Sequence, residues 1–170
     1  MQTTSVKLHS LEYRQAKTYW IAALFVLGNL LLPQLCHLIP QGGMRWLPIY
    51  FFTLVGAYKY GWRVGLLTAV ASPLLNSALF GMPAAAVLPA ILLKSVLLAL
   101  TAGYAAARFN KAPLWLLAAV VLGYQTVGTL GEWALSGSLA AATQDFRIGI
   151  PGMLLQLIGG WFCINRLLHR

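Results

Sequence analysis

Six apolar runs, at 19–38, 46–60, 64–80, 84–108, 113–135 and 148–168, fill most of this 170-residue chain and are broken only by turn or charge signals. Such runs have few backbone options away from water: every N–H and C=O must be satisfied inside the segment, and a helix does that. Hydrophobic residues are 59% of the chain and charged residues 9%, whereas a soluble domain carries roughly a quarter charged residues. The sequence therefore predicts an all-α integral membrane protein with six transmembrane helices. It reads as a single domain over 1–170, with 1–18 as a cytoplasmic or interfacial segment and 19–168 as the bundle.

The second and third runs are short. About 15 residues span about 22 Å of helix, against a hydrocarbon core of about 30 Å, so either they stop below one surface or the loop between them dips. Pro48, Pro113 and Pro151 fall in first turns, where a missing N–H costs nothing. Pro33, Pro73 and Pro89 fall inside runs, where they are expected to kink the helix and free backbone groups.

Basic residues set the orientation. With a cytoplasmic N-terminus, Lys7, Arg14, Lys17, Lys59, Arg63, Arg108, Lys111, Arg166 and Arg170 all lie inside and only Arg45 and Arg147 outside, and six spans return the C-terminus to the cytoplasm. The net charge of +9 is then mostly topological and calls for no nucleic-acid partner. The first apolar run is too long for a signal-peptide core, so it is read as a retained span in the bacterial cytoplasmic (inner) membrane.

Against this background the polar residues inside the runs stand out. Lys94 lies in the fourth run and Glu132 in the fifth, and an ionisable side chain at bilayer depth marks a site by default. Counting from residue 84 puts Lys94 about 15 Å down, with Gln125 at similar depth and Glu132 nearer the outside. Gln125, Thr129 and Glu132 share one helix face at i, i+4 and i+7; Thr68, Ser72 and Asn76 share another; Gly149, Gly152, Gln156 and Gly160 form a third small and polar stripe. These faces point to one outward cavity, with interhelical hydrogen bonding as the alternative role for the Thr, Ser and Asn stripe. The outer loops add His37, Arg45, Trp46 and Tyr50 from the first, Phe80 and Met82 from the second, and the segment 136–147. The glycines of the first loop suit a lid. Cys36 and Cys163 are expected at opposite ends and unbridged.

No catalytic or nucleotide-binding motif is found, and the acidic residues are only Glu12, Glu132 and Asp145. The expectation is a protein that is not an enzyme and has no cofactor of its own. Transport would take its energy from a partner or a gradient.

The segment His37 to Pro48, the segment Asn76-Ser77-Ala78-Leu79-Phe80-Gly81-Met82-Pro83 and the Lys94 helix after it, in a small six-span chain with cytoplasmic ends, resemble the S components of energy-coupling factor (ECF) vitamin transporters. The resemblance covers 22–166 and rests on loose motifs. It implies an outward pocket built from loops one, three and five over the outer halves of spans four to six. It also implies a transmembrane scaffold and two ATPases as partners, about which the pocket side topples to release substrate inward. An Ala-x-x-x-Ala docking motif common in that family is not kept, since Ala22 and Ala23 are followed four residues on by Val26 and Leu27, so a solitary mode stays open.

Cobalamin (vitamin B12) is the first ligand candidate, as in compact solitary members, with His37, Met82 or Cys36 able to approach cobalt. The alternatives are another vitamin or a small anionic or zwitterionic solute held by Lys94 and Glu132, a gradient-driven carrier or channel protonated at Glu132, and a non-transport scaffold of the cell-shape type.

Overall fold

The computed structural model describes residues 8–167, which are helical throughout apart from turns and the segment before residue 16; no strand occurs among the described residues. Among the described residues four helices are long and apolar enough to cross a membrane: α1 (Ala16–His37), α4 (Trp62–Phe80), α5 (Leu88–Phe109) and α6 (Leu114–Ser136). Between α1 and α4 lie α2 (Gly42–Trp46), a 3₁₀ turn (Pro48–Tyr50) and α3 (Phe51–Tyr60). After α6 come α7 (Leu139–Ala142), α8 (Gln144–Ile148) and α9 (Ile150–Leu154), which runs on through π-helical turns at Leu155–Gly159 and Cys163–Leu167. This is the make-up of a multi-pass helical membrane protein.

All six apolar runs are thus helical, but two are not continuous spanning α-helices. Run 46–60 is divided because Leu47 takes a left-handed conformation (φ 45°) just before Pro48, leaving ten residues for α3. Run 148–168 winds partly as π-helix, with Gln156 in the first wide turn. Two further expectations change. Pro89 does not kink α5; it sits in the first turn, and α5 begins at Leu88 instead of residue 84. Lys94 is then only about 9 Å from the helix start, not 15 Å. The N-terminal segment is not an interfacial helix from residue 8 to residue 15: its backbone runs alongside the end of α3, where the N–H groups of His9 and Leu11 donate to the carbonyls of Lys59 and Tyr60. Those carbonyls belong to a helix C-terminus and would otherwise lack partners. Residues 1–7 and 168–170, including Lys7 and Arg170, lie outside the described residues.

The core forms where α3, α4, α5 and α6 meet, around Leu54, Tyr58, Val64, Leu98, Leu117 and Tyr124. The outside is apolar too. Trp20, Leu24, Leu27, Leu31 and Leu35 are exposed on α1, the arrangement expected where the surroundings are lipid tails. Small residues let the helices close: a Cβ on Gly65 would run into Ala57, and one on Gly56 would come 3.1 Å from the Phe25 ring.

A buried polar junction ties α1, α3 and α4 together. Asn29 Nδ2 donates to Thr53 Oγ1 and Ser72 Oγ, both at 3.1 Å, and Asn29 Oδ1 accepts from Phe52 N in the first turn of α3. Ser72 therefore serves interhelical bonding. Thr68 bonds only back to Val64 O within α4.

Candidate functional site

The cavity lies at the end of the bundle carrying the α1–α2, α4–α5 and α6–α9 connections. Arg45 and Arg147 are at that end, whereas Lys17, Lys59, Arg63, Arg108, Lys111 and Arg166 lie at helix ends on the opposite side. Its volume is about 630 Å³, inside the roughly 300–1,000 Å³ typical of small-ligand pockets. Pro33, Leu47, Ile49, Val87 and Ile91 give it apolar walls, and Asn76, Lys94, Glu132, Gln144 and Asp145 bring polar groups to it.

Lys94 organises the polar side. Its Nζ lies 2.5 Å from Glu132 Oε2 and 2.7 Å from Asp145 Oδ2, so one ammonium on α5 is shared by carboxylates from α6 and α8. Lys94 is 3% exposed and the two carboxylate side chains 17% and 14%, so the acidic partners keep some access to the cavity. The close approach of α5 and α6 depends on Gly128, one turn before Glu132: a Cβ there would stand 2.5 Å from Lys94 Cγ. An apolar helix thus leaves a slot for the lysine stem.

The cover is built from short pieces. Gln41 (φ 58°) and Leu47 (φ 45°) flank α2 in left-handed conformations, which cost an L-residue roughly 1–2 kcal/mol. Packing holds this shape: Leu47 is buried, and Gly149 and Gly152 leave room for Leu47 and the Trp46 backbone. Gly149 and Gly152 of the small stripe therefore serve the cover, whereas Gly160 packs against Leu54 of α3. On the other side Gln144 Nε2 lies 2.8 Å from Met44 Sδ, bringing α8 to α2.

Of the residues expected at the site, Lys94, Glu132, Asn76, His37, Tyr50 and Met82 line the cavity. Gln125, Thr129 and Gln156 do not. Gln125 and Gln156 sit beneath, where Tyr124 donates to Gln156 Oε1 at 2.8 Å and Gln125 Nε2 donates to the Tyr124 hydroxyl at 3.2 Å. Tyr50 lines the cavity, and its ring is 5.7 Å from that of Tyr124. Arg45, Trp46 and Phe80 are also away from the cavity wall, with Arg45 and Phe80 exposed. Asp145 and Gln144 were missed, since 136–147 reads from sequence only as a polar outer loop.

Asn76 is 1% exposed and wedged between elements. Its Nδ2 donates to Asn29 O at 2.8 Å and Ser72 O at 2.9 Å, while Oδ1 has no partner. Two carbonyl acceptors fix which end of the amide is nitrogen.

Among the described residues no three His, Cys, Asp or Glu side chains gather as a metal site, and both cysteines are free. The chain matches no protein-family model, no curated protein and no solved structure.

Proposed function

We propose that this chain is a membrane binding and uptake subunit for a water-soluble vitamin, of the S-component kind. The observation carrying the proposal is the convergence of Lys94, Glu132 and Asp145 on a cavity of about 630 Å³ beneath loop-built cover elements. A charged cluster at the wall of a partly apolar cavity is costly as mere structure, because a well-packed apolar set is often as stable or more so. A ligand that needs those groups gives a reason to keep it. A scaffold of the cell-shape type would need no such cavity.

The reading includes six spans with cytoplasmic ends and an outward pocket in a bacterial inner membrane, supported by the basic residues gathered at the opposite end. An ECF scaffold and ATPases are the proposed partners, with solitary action as the alternative. Cobalamin has His37 and Met82 on the cavity wall to approach its metal. It is several times larger than the other vitamins and would require the loops to part, whereas the smaller ones suit the cavity as it stands.

The test is equilibrium binding in lipid nanodiscs with cobalamin, biotin, riboflavin, thiamin, pantothenate, pyridoxamine and folate, together with native mass spectrometry for a co-purified small molecule. Saturable binding of one vitamin is expected. Binding of none, with nothing co-purifying, would overturn the proposal in favour of the scaffold.

A further inference from the structure

We infer that the cavity takes a small organic cation bearing N–H donors. This inference rests on the vitamin-binding reading and narrows it by charge. The polar wall holds one ammonium, Lys94, and two carboxylates, Glu132 and Asp145, so, with the lining His37 counted as neutral, one positive and two negative charges give a formal sum of −1. The Lys94 ammonium is already committed to both carboxylates. Arg45 and Arg147 are exposed and do not line the cavity.

An anionic ligand would meet two carboxylates and a lysine already in use. A cation would complete the charge balance at the oxygens Lys94 leaves open, in surroundings where pairing counts for more than in water.

Asn76 supplies an independent observation. Its amide nitrogen is held by two carbonyls, which leaves Oδ1, an acceptor, as the atom without a protein partner on a residue of the cavity wall. A buried acceptor of this kind calls for a donor.

Pyridoxamine and pyridoxine form a matched pair, since they differ by an aminomethyl against a hydroxymethyl group. Measured on the unmodified full chain in nanodiscs beside thiamin, biotin and pantothenate, the tightest probe should be a cation. Pyridoxamine should exceed pyridoxine, and the best cation the best anion, by at least about tenfold. In folded Asp145→Asn or Glu132→Gln protein that preference should shrink by about tenfold. Tightest binding by biotin, pantothenate or pyridoxine would overturn the charge assignment and leave the vitamin reading standing. A cation preference unchanged in both folded variants would also overturn it. Binding of no vitamin would overturn both. The wild-type comparison decides the matter even if the variants fail to fold.

Discussion

Asn76 donates from Nδ2 to the main-chain carbonyl of Asn29 at 2.8 Å, and that carbonyl is the one Pro33, four residues further along α1, has no N–H to satisfy. A proline in a helix thus creates an acceptor, and a side chain from α4 fills it. Pro33 and Asn76 both reach the cavity wall, so the site is anchored in the same polar junction that joins α1, α3 and α4.

Asn29→Ala should accordingly be costly. It strands the Phe52 N–H and leaves the Thr53 and Ser72 hydroxyls without their donor. A loss of about 1–3 kcal/mol is expected for such buried groups. Thr68→Ala removes a bond within α4 and one buried methyl, and should cost about 1 kcal/mol, less than Asn29→Ala. Unfolding titrations in mixed micelles compare the two, and equal losses would contradict the junction's importance.

Lys94→Met leaves Glu132 and Asp145 facing each other without a cation. Breaking a fully buried pair costs about 3–5 kcal/mol, and the partial exposure of these carboxylates reduces the expectation to about 1–3 kcal/mol. Adding Glu132→Gln and Asp145→Asn should restore most of that stability without restoring cation binding. The check is a thermal-unfolding series read beside ligand affinity. A triple variant as unstable as Lys94→Met would show that the uncompensated carboxylate charge is not what destabilises Lys94→Met.

Two of the three glycines of α6, at 123 and 128, separate site packing from helix propensity. Gly128→Ala puts a methyl 2.5 Å from Lys94 Cγ, whereas Gly123 has nothing within 4 Å of its added Cβ. Gly128→Ala should cost about 1–3 kcal/mol and weaken binding. Gly123→Ala should be neutral or stabilising by up to about 1 kcal/mol. Parallel stability and binding measurements would expose an error if the two behaved alike.

The legibility of these features in sequence follows their range of interaction. Helical runs and the Lys94 and Glu132 positions are local signals, because an ionisable residue interrupting an apolar helix is visible without a partner. Asp145 is not visible in that way. It sits on a five-residue helix too short for periodicity, and acquires its role only when the chain brings it to Lys94, 51 residues away. The Gln125, Thr129 and Glu132 face was readable from spacing, but spacing gives direction and not depth, and Gln125 is instead buried against the Tyr124 hydroxyl, away from the cavity. Asn29 left one readable clue, Pro33 four positions later, which frees its carbonyl. The break at Leu47 and the π-helical turns depend on packing against other elements and leave no comparable periodic signal.

The cover makes a kinetic prediction. Lys94 holds α8 through Asp145, and Gln144 reaches Met44 on α2, so under the proposed binding function the gap between α2 and α8 is the expected gate for ligand exchange. Met44→Cys with Gln144→Cys, in a background where the free thiols Cys36 and Cys163 are replaced by serine, allows a short cleavable cross-linker to join them. Cross-linking should slow both entry and release of a bound vitamin by at least about tenfold while changing the equilibrium affinity far less, the behaviour of a gate. Cleaving the linker should restore both rates. Stopped-flow fluorescence on the linked and cleaved protein measures them directly, and exchange that stays fast in the linked form would mean that the ligand enters by a route other than the gap between α2 and α8.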